Sequence, residues 1–162
     1  MLKQDDPRKC SAAKLVKFGL AKPVTRTTSR TLILNPFSKK TLLESDKKLV
    51  HSITGIDCSW NLAVSASQKP FTGVSRRLPP LLAGNPINYS KLNKLTTVEA
   101  LAGAVYILGE PELTHTLLKK FKWGDTFFTL NKNLLQDYSK AQSESEILEI
   151  CHEYRLDNAQ FT

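Results

Sequence analysis

The chain has 162 residues, 41% apolar and 23% charged, and its 23 Lys and Arg against 15 Asp and Glu leave a formal charge of +8. That is enough chain to bury a core without staples, and the seven Gly and eight Pro exclude a collagen-like or low-complexity protein. Cys10, Cys58 and Cys151 form no C-x-x-C pair and are odd in number, which excludes a disulfide framework and leaves no expectation of a metal.

Residues 9–18 place Ala12, Ala13, Leu15, Val16 and Phe18 at helical spacing, and Gly19 ends the run. Thr31-Leu32-Ile33-Leu34 reads as a short strand closed by the turn pair Asn35-Pro36. Ser45 or Asp46 caps a short helix reaching Val50. Residues 52–57 read as a strand ending on an acid, residues 60–66 as a short helix and residues 68–75 as a loop. From Pro79 onward every periodic stretch is helical. Thr96-Thr97-Val98-Glu99 is a capping-box pattern, opening a helix through Leu101, Ala104, Val105 and Leu108 that stops at Gly109. Pro111 sits in the first turn of a helix with Leu113, Leu117, Leu118 and Phe121 on its apolar face. Residues 123–130 are aromatic and short, residues 131–141 helical, and residues 143–152 a closing helix. The pattern predicts an α/β protein. Residues 1–79 would form a basic lobe with a mostly parallel sheet, and residues 80–162 an all-helical lobe.

The longest near-apolar window, residues 98–108, is far short of a membrane span. The first residues hold no apolar signal region. A cytoplasmic protein without a membrane partner is expected. Charge is divided unevenly: residues 1–85 carry 15 Lys/Arg and 5 Asp/Glu, a net +10, and residues 86–162 carry 8 and 10, a net −2. Such asymmetry points to a polyanion-binding face or, more plainly, to a lysine-rich solvated surface.

Common nucleotide, zinc-protease and hydrolase signatures are absent from the sequence. His51, His115 and His152 are dispersed and read as surface or packing residues. Gly55-Ile56-Asp57-Cys58-Ser59-Trp60 is more informative. It puts an acid at a strand's carboxyl end, where α/β sheets bind ligands, with a large aromatic three residues later. The plainer alternative is a capping Asp57 and a core Trp60. In residues 76–89 two prolines and an Asn-Pro stand among apolar residues. That makes a fixed loop with exposed backbone groups, suited to a flat heterocycle such as adenine, or else a domain connector.

Five stretches carry a resemblance: Asp5-Asp6-Pro7-Arg8-Lys9-Cys10-Ser11, Asp57-Cys58-Ser59-Trp60, Arg77-Leu78-Pro79 through Tyr89, Lys94-Leu95-Thr96-Thr97-Val98-Glu99-Ala100, and Phe121-Lys122-Trp123-Gly124. In this order, and over most of its length, the chain resembles the small-subunit ribosomal RNA aminocarboxypropyltransferase family. The resemblance implies a SPOUT-like knotted fold that binds S-adenosylmethionine between the two lobes. It implies transfer of the aminocarboxypropyl group to N3 of a modified uridine, usually an N1-methylpseudouridine. Small-subunit rRNA or a pre-ribosomal particle would be the partner, and a monomer the acting form.

The same resemblance implies the site. The Ser11 backbone amide and the Thr97 hydroxyl would take the cofactor carboxylate, and the Ile56 backbone the ribose. Leu78 and the Asn93 backbone would read the adenine edge. Trp60 and Ala100 would enclose the S-methyl group, and Asp57 would be the general base. Asn93 stands where the family often has an aromatic, so only a backbone role carries over, and few residues precede Asp5 to form a first strand. Lys9, Lys14, Arg76 and Arg77 are the expected RNA contacts. The competing readings are a SPOUT-type RNA methyltransferase, which product mass would reveal, and a non-catalytic rRNA-binding assembly factor, which would not bind the cofactor.

Overall fold

Thr31, Leu32, Ile33 and Leu34 are all buried, and a strand buried along its whole length belongs at the centre of a sheet. The computed structural model, which describes residues 10–56 and 71–156, places it there. This strand, β1 (Thr31–Leu34), lies between β2 (Ser52–Gly55) and β3 (Val74–Arg76), and both neighbours run parallel to it. Leu34 is in register with Gly55 on one side and Arg76 on the other. The carboxyl ends of the strands therefore finish level, at one edge.

Three local expectations need correction. Residues 74 and 75, expected in a loop, belong to β3. Val-Ser-Arg has no alternation to reveal it, and the segment is a strand because β1 offers a free side to pair with. The short helix expected up to Val50 is a 3-10 helix, Glu44–Lys48. Asp46 does not begin it but caps it from inside, accepting the Leu43 N–H at 3.0 Å. The helix expected over 131–141 starts earlier, taking in most of the aromatic stretch before it, and runs Gly124–Tyr138, with Asn131 buried near its middle.

The other helices follow their signals. α1 (Ser11–Lys17) ends before Gly19, whose φ of 70° is the left-handed conformation glycine adopts without strain. α2 (Thr97–Ile107) opens on the expected capping box, with the Thr96 N–H donating to Glu99 Oε2 at 2.7 Å. α3 (Pro111–Leu118), α4 (Gly124–Tyr138) and α5 (Glu144–Glu153) complete the chain's described part, and all named elements after β3 are helices. The expected helix of residues 60–66 lies outside the described residues. One apolar cluster unites the two halves of the sequence. Leu15, Leu32, Leu34 and Leu42 meet Leu81, Val98, Ile107, Phe127, Leu135 and Tyr138 in it. Burying each such side chain fully is worth about 1.5–3 kcal/mol. No helix among the described residues is long and apolar enough to cross a membrane.

Candidate active site

The level carboxyl edge is where a parallel sheet offers room for a ligand. Ile56 follows β2 directly, and Leu78 stands two residues beyond β3. The starts of two helices are drawn to the same place. Ser11, the first residue of α1, accepts the Val98 N–H of α2 on its Oγ at 3.2 Å. Thr97 packs against the end of β2 so closely that a Cβ on Gly55 would lie 3.2 Å from Thr97 Cγ2. Glycine at residue 55 thus sets how near α2 comes to the sheet. Ser11, Ile56 and Thr97, far apart in sequence, are gathered by these two contacts, and Ala100 lies half-buried in the same first turn of α2.

Beside this junction a cleft of about 720 Å³ runs along β2, lined by Ile56 and Thr97 together with Ala12, Leu15, Leu101 and Phe71. That volume is in the range of small-molecule sites. Ser11, Leu78, Asn93 and Ala100 lie outside its lining. Asn93 adopts φ 58° and is spent on its own loop: its N–H donates to the Leu81 carbonyl at 2.9 Å, and its Oδ1 accepts the Leu81 N–H at 3.3 Å. Any backbone role toward an adenine edge therefore falls to its carbonyl. Asp57, Trp60 and Lys9 lie outside the described residues.

The basic residues divide. Arg76 is committed within the protein: its Nε and Nη2 grip Asp46 at 2.9–3.2 Å, its Nη1 donates to the Ser75 carbonyl, and its side chain is only 16% exposed. Its expected place on RNA phosphate does not fit this pairing, because the bidentate contact already commits the guanidinium to a nearly buried carboxylate that balances its charge. Arg77 holds the next stretch of chain through its backbone, which pairs with Lys40 and Leu42, and its Nε donates to Thr41 Oγ1 at 3.2 Å. Lys14 is half-buried, its Nζ 6.0 Å from the centre of the Phe121 ring.

The proline-rich loop holds a surprise. Residues 79–81 and 83–85 are buried, so the exposed backbone groups expected there are instead paired inside the protein. Buried backbone polar groups need partners, and side chains from the helices supply them. Tyr138 donates its hydroxyl to the Pro80 carbonyl at 2.8 Å. Asn131 meets both the N–H and the carbonyl of Leu82 at 2.8 Å, as a neighbouring strand would. Glu99, fully buried, accepts the N–H groups of Gly84 and Asn85 on Oε1, and Asn85 Nδ2, the Thr96 N–H and Thr96 Oγ1 on Oε2, at 2.6–3.0 Å. The sequence marks Glu99 through its capping box alone, and Asn131 and Tyr138 through no motif. Among the described residues no group of three His, Cys, Asp or Glu could hold a metal.

Known proteins share the sequence and fold of this chain. The profile of a family described as "Ribosome biogenesis protein, C-terminal" matches residues 32–155. A second profile, "Possible Fer4-like domain in RNase L inhibitor, RLI", matches residues 2–30. Iron–sulfur clusters of that type need four thiolates, whereas this stretch has Cys10 alone and the whole chain three cysteines. A 16S rRNA aminocarboxypropyltransferase of Saccharolobus islandicus is 46% identical over 149 residues, 91% of this chain and 88% of the relative. One from Methanococcoides burtonii is 40% identical over 157 residues, 94% of this chain and 90% of the relative. The solved structure of the SAM-dependent rRNA:acp-transferase Tsr3 from Vulcanisaeta distributa superposes with a TM-score of 0.84 at 35% identity, covering 98% of this chain and 88% of that one. With a family profile over three quarters of its length and these relatives over more than nine tenths of it, the chain belongs to the ribosome biogenesis family whose members include the 16S rRNA aminocarboxypropyltransferases.

Proposed function

We propose that this protein is an S-adenosylmethionine-dependent rRNA aminocarboxypropyltransferase acting on small-subunit rRNA during ribosome biogenesis. The observation that carries this is the likeness to the SAM-dependent rRNA:acp-transferase over 98% of the chain. The local geometry is compatible with a donor at the carboxyl edge of the sheet: Gly55 lets Thr97 pack against the end of β2, and the cleft that Ile56 and Thr97 help to line is of ligand size. In this reading the Ser11 amide and the Thr97 hydroxyl hold the donor's carboxylate and the Ile56 backbone holds the ribose. Leu78 and the Asn93 carbonyl face the adenine, and Trp60 with Ala100 covers the S-methyl group. S-adenosylmethionine supplies an activated γ-carbon, to which uridine N3 bonds as the carbon–sulfur bond breaks and methylthioadenosine leaves.

The protein's part is alignment. Three carbons on the sulfonium are activated, and the one presented in line with N3 reacts, because orientation is worth many powers of ten. Enclosing the methyl withholds it. Asp57, next in the chain after Ile56, takes the N3 proton as general base, a contribution of about 10²–10⁴-fold. The acceptor is a modified uridine, N1-methylpseudouridine by family likeness, and the rRNA phosphates meet the positive half of the chain through Lys9, Lys14 and Arg77. The site sits between residues 1–79 and 80–162 in a SPOUT-like knotted fold, and the protein works as a cytoplasmic monomer.

The test is nucleoside mass spectrometry of small-subunit rRNA incubated with the protein and methionyl-labelled S-adenosylmethionine. An aminocarboxypropyl nucleoside together with methylthioadenosine is expected. A methylated nucleoside would assign the protein to the methyltransferases, and cofactor binding without transfer would overturn the enzymatic reading. Under single turnover, Asp57→Asn is expected to keep cofactor affinity and slow transfer by about 10²-fold or more. A rate near the wild type would remove the base role.

A further inference from the structure

The segment that Glu99 anchors goes on to leave the core. Beyond Asn85 it makes a tip that carries two of the most exposed large apolar side chains among the described residues, Ile87 at 79% and Tyr89 at 58%. This exposure is not that of a loose loop. Asn88 N–H donates to both the carbonyl and Oδ1 of Asn85, at 3.2 and 3.1 Å, and Lys91 N–H closes on the Asn88 carbonyl at 2.9 Å. Ala83 exchanges backbone bonds with Ser90 and Lys91, at 2.7 and 2.9 Å. Ser90 and Asn93 are held at φ 61° and 58°. Asparagine visits the left-handed region readily, but a serine such as Ser90 stays there only where its surroundings hold it.

The tip is also continuous with the candidate active site. Glu99 binds Asn85 with one set of contacts and Thr96, the residue before Thr97, with another. The base of the tip and the start of α2 are thus tied to one carboxylate. From Pro86 to Val98 the sequence has no Asp or Glu, and Lys91 and Lys94 are both exposed. An exposed aromatic ring carried on a held backbone, in a cationic, carboxylate-free segment, has the chemistry of a single-stranded nucleic-acid platform, where rings stack on bases and lysines follow phosphates.

We propose that Tyr89 is a base-stacking contact for an unpaired nucleotide of the rRNA substrate, with Ile87 packing beside it and Lys91 on the phosphate. This rests on the rRNA reading above. Its role is to position the RNA strand next to the site, with no part in holding the cofactor.

The test compares Tyr89→Ala and Tyr89→Trp with the wild type for affinity to a small-subunit rRNA transcript and, separately, to S-adenosylmethionine. Losing one base stack is expected to weaken Tyr89→Ala binding of the transcript about tenfold, with Tyr89→Trp near the wild type. Cofactor affinity and thermal midpoint should not move. Transcript binding by Tyr89→Ala equal to the wild type would overturn the proposal, as would equal loss in both variants or a fall in cofactor affinity. A wild type that sediments as a dimer and a monomeric Tyr89→Ala with unchanged transcript affinity would overturn it in favour of self-contact. A wild type that binds no transcript would overturn the rRNA reading itself, and the proposal with it.

Discussion

Glu99 concentrates more of the site's architecture than any other single side chain described here. Its two oxygens receive only donors: three backbone N–H groups, one amide and one hydroxyl. A carboxylate accepts on both oxygens, whereas a glutamine must turn an NH₂ toward one of these sets. Asn85 cannot simply flip to help, since its Oδ1 already accepts the Asn88 N–H. Glu99→Gln is therefore expected to cost about 2–3 kcal/mol, the penalty of leaving buried donors unpaired. Denaturant titration checks this, and an unchanged midpoint would mean that the loop re-pairs freely. The sequence showed half of this residue's work. The spacing of Thr96 and Glu99 is a local signal, readable because both ends of the contact lie within one helical turn. The bonds to Gly84 and Asn85 reach across fifteen and fourteen residues and depend on how the loop is laid over the helix, which no spacing encodes.

The same division holds for secondary structure. α2 and α3 were readable because a capping box and a first-turn proline are local devices that act before any tertiary contact. β3 was not, because three residues without alternation become a strand only beside β1. Only the second half of α4, from Asn131 onward, reads as helix in the sequence. In the structure its amide is spent across the interface on Leu82, and its Nδ2 also donates to the Phe127 carbonyl at 2.9 Å. Close approach of the loop to α4 explains Gly84. A Cβ there would stand 2.7 Å from Phe127 Cβ and nearer still to the Phe127 backbone. Since backbone cannot yield as a flexible side chain does, Gly84→Ala is expected to destabilise by about 2 kcal/mol or more, as overpacking does. The thermal midpoint measures it. A variant as stable as the wild type would show that the loop can lift from α4 without cost.

Tyr138 ties that interface to the stability of the molecule as a whole. It is fully buried and donates to Pro80, and burial pushes its hydroxyl far above the ordinary tyrosine range. The folded protein then holds this proton more tightly than the unfolded chain does. Its stabilising contribution is complete below the unfolded pKa of about 10 and declines as pH rises above it, toward the folded value, by about 1.4 kcal/mol per pH unit. Tyr138→Phe lacks this slope, while lysines and other tyrosines titrate alike in both proteins. The variant is expected to be less stable than wild type by about 1 kcal/mol at neutral pH. The gap should narrow above about pH 10. A gap that stays constant in alkaline solution would show that the phenol ionises as easily folded as unfolded.

At the scale of the whole molecule, the fold decides which of its positive charges can meet a polyanion. The sequence sets Arg76 and Arg77 side by side in the positive half, with RNA contact expected of both, and only the fold separates them. Arg76 turns to Asp46, whose side chain is 7% exposed, and the two neutralise each other. Each Lys or Arg that neutralises a phosphate adds close to one to the slope of log affinity against log salt. Arg76→Met should therefore leave the salt slope of rRNA binding unchanged. Its cost should appear in folding, about 3 kcal/mol for stranding the nearly buried Asp46. Asp46→Asn with Arg76→Met removes both charges, and should recover much of that stability with the same slope. Binding isotherms at several salt concentrations, on protein shown to be folded, decide the matter. A slope reduced by about one in Arg76→Met would put the guanidinium on a phosphate after all. That would mean RNA draws it away from Asp46, and that the positive half of the chain is completed only when the substrate arrives.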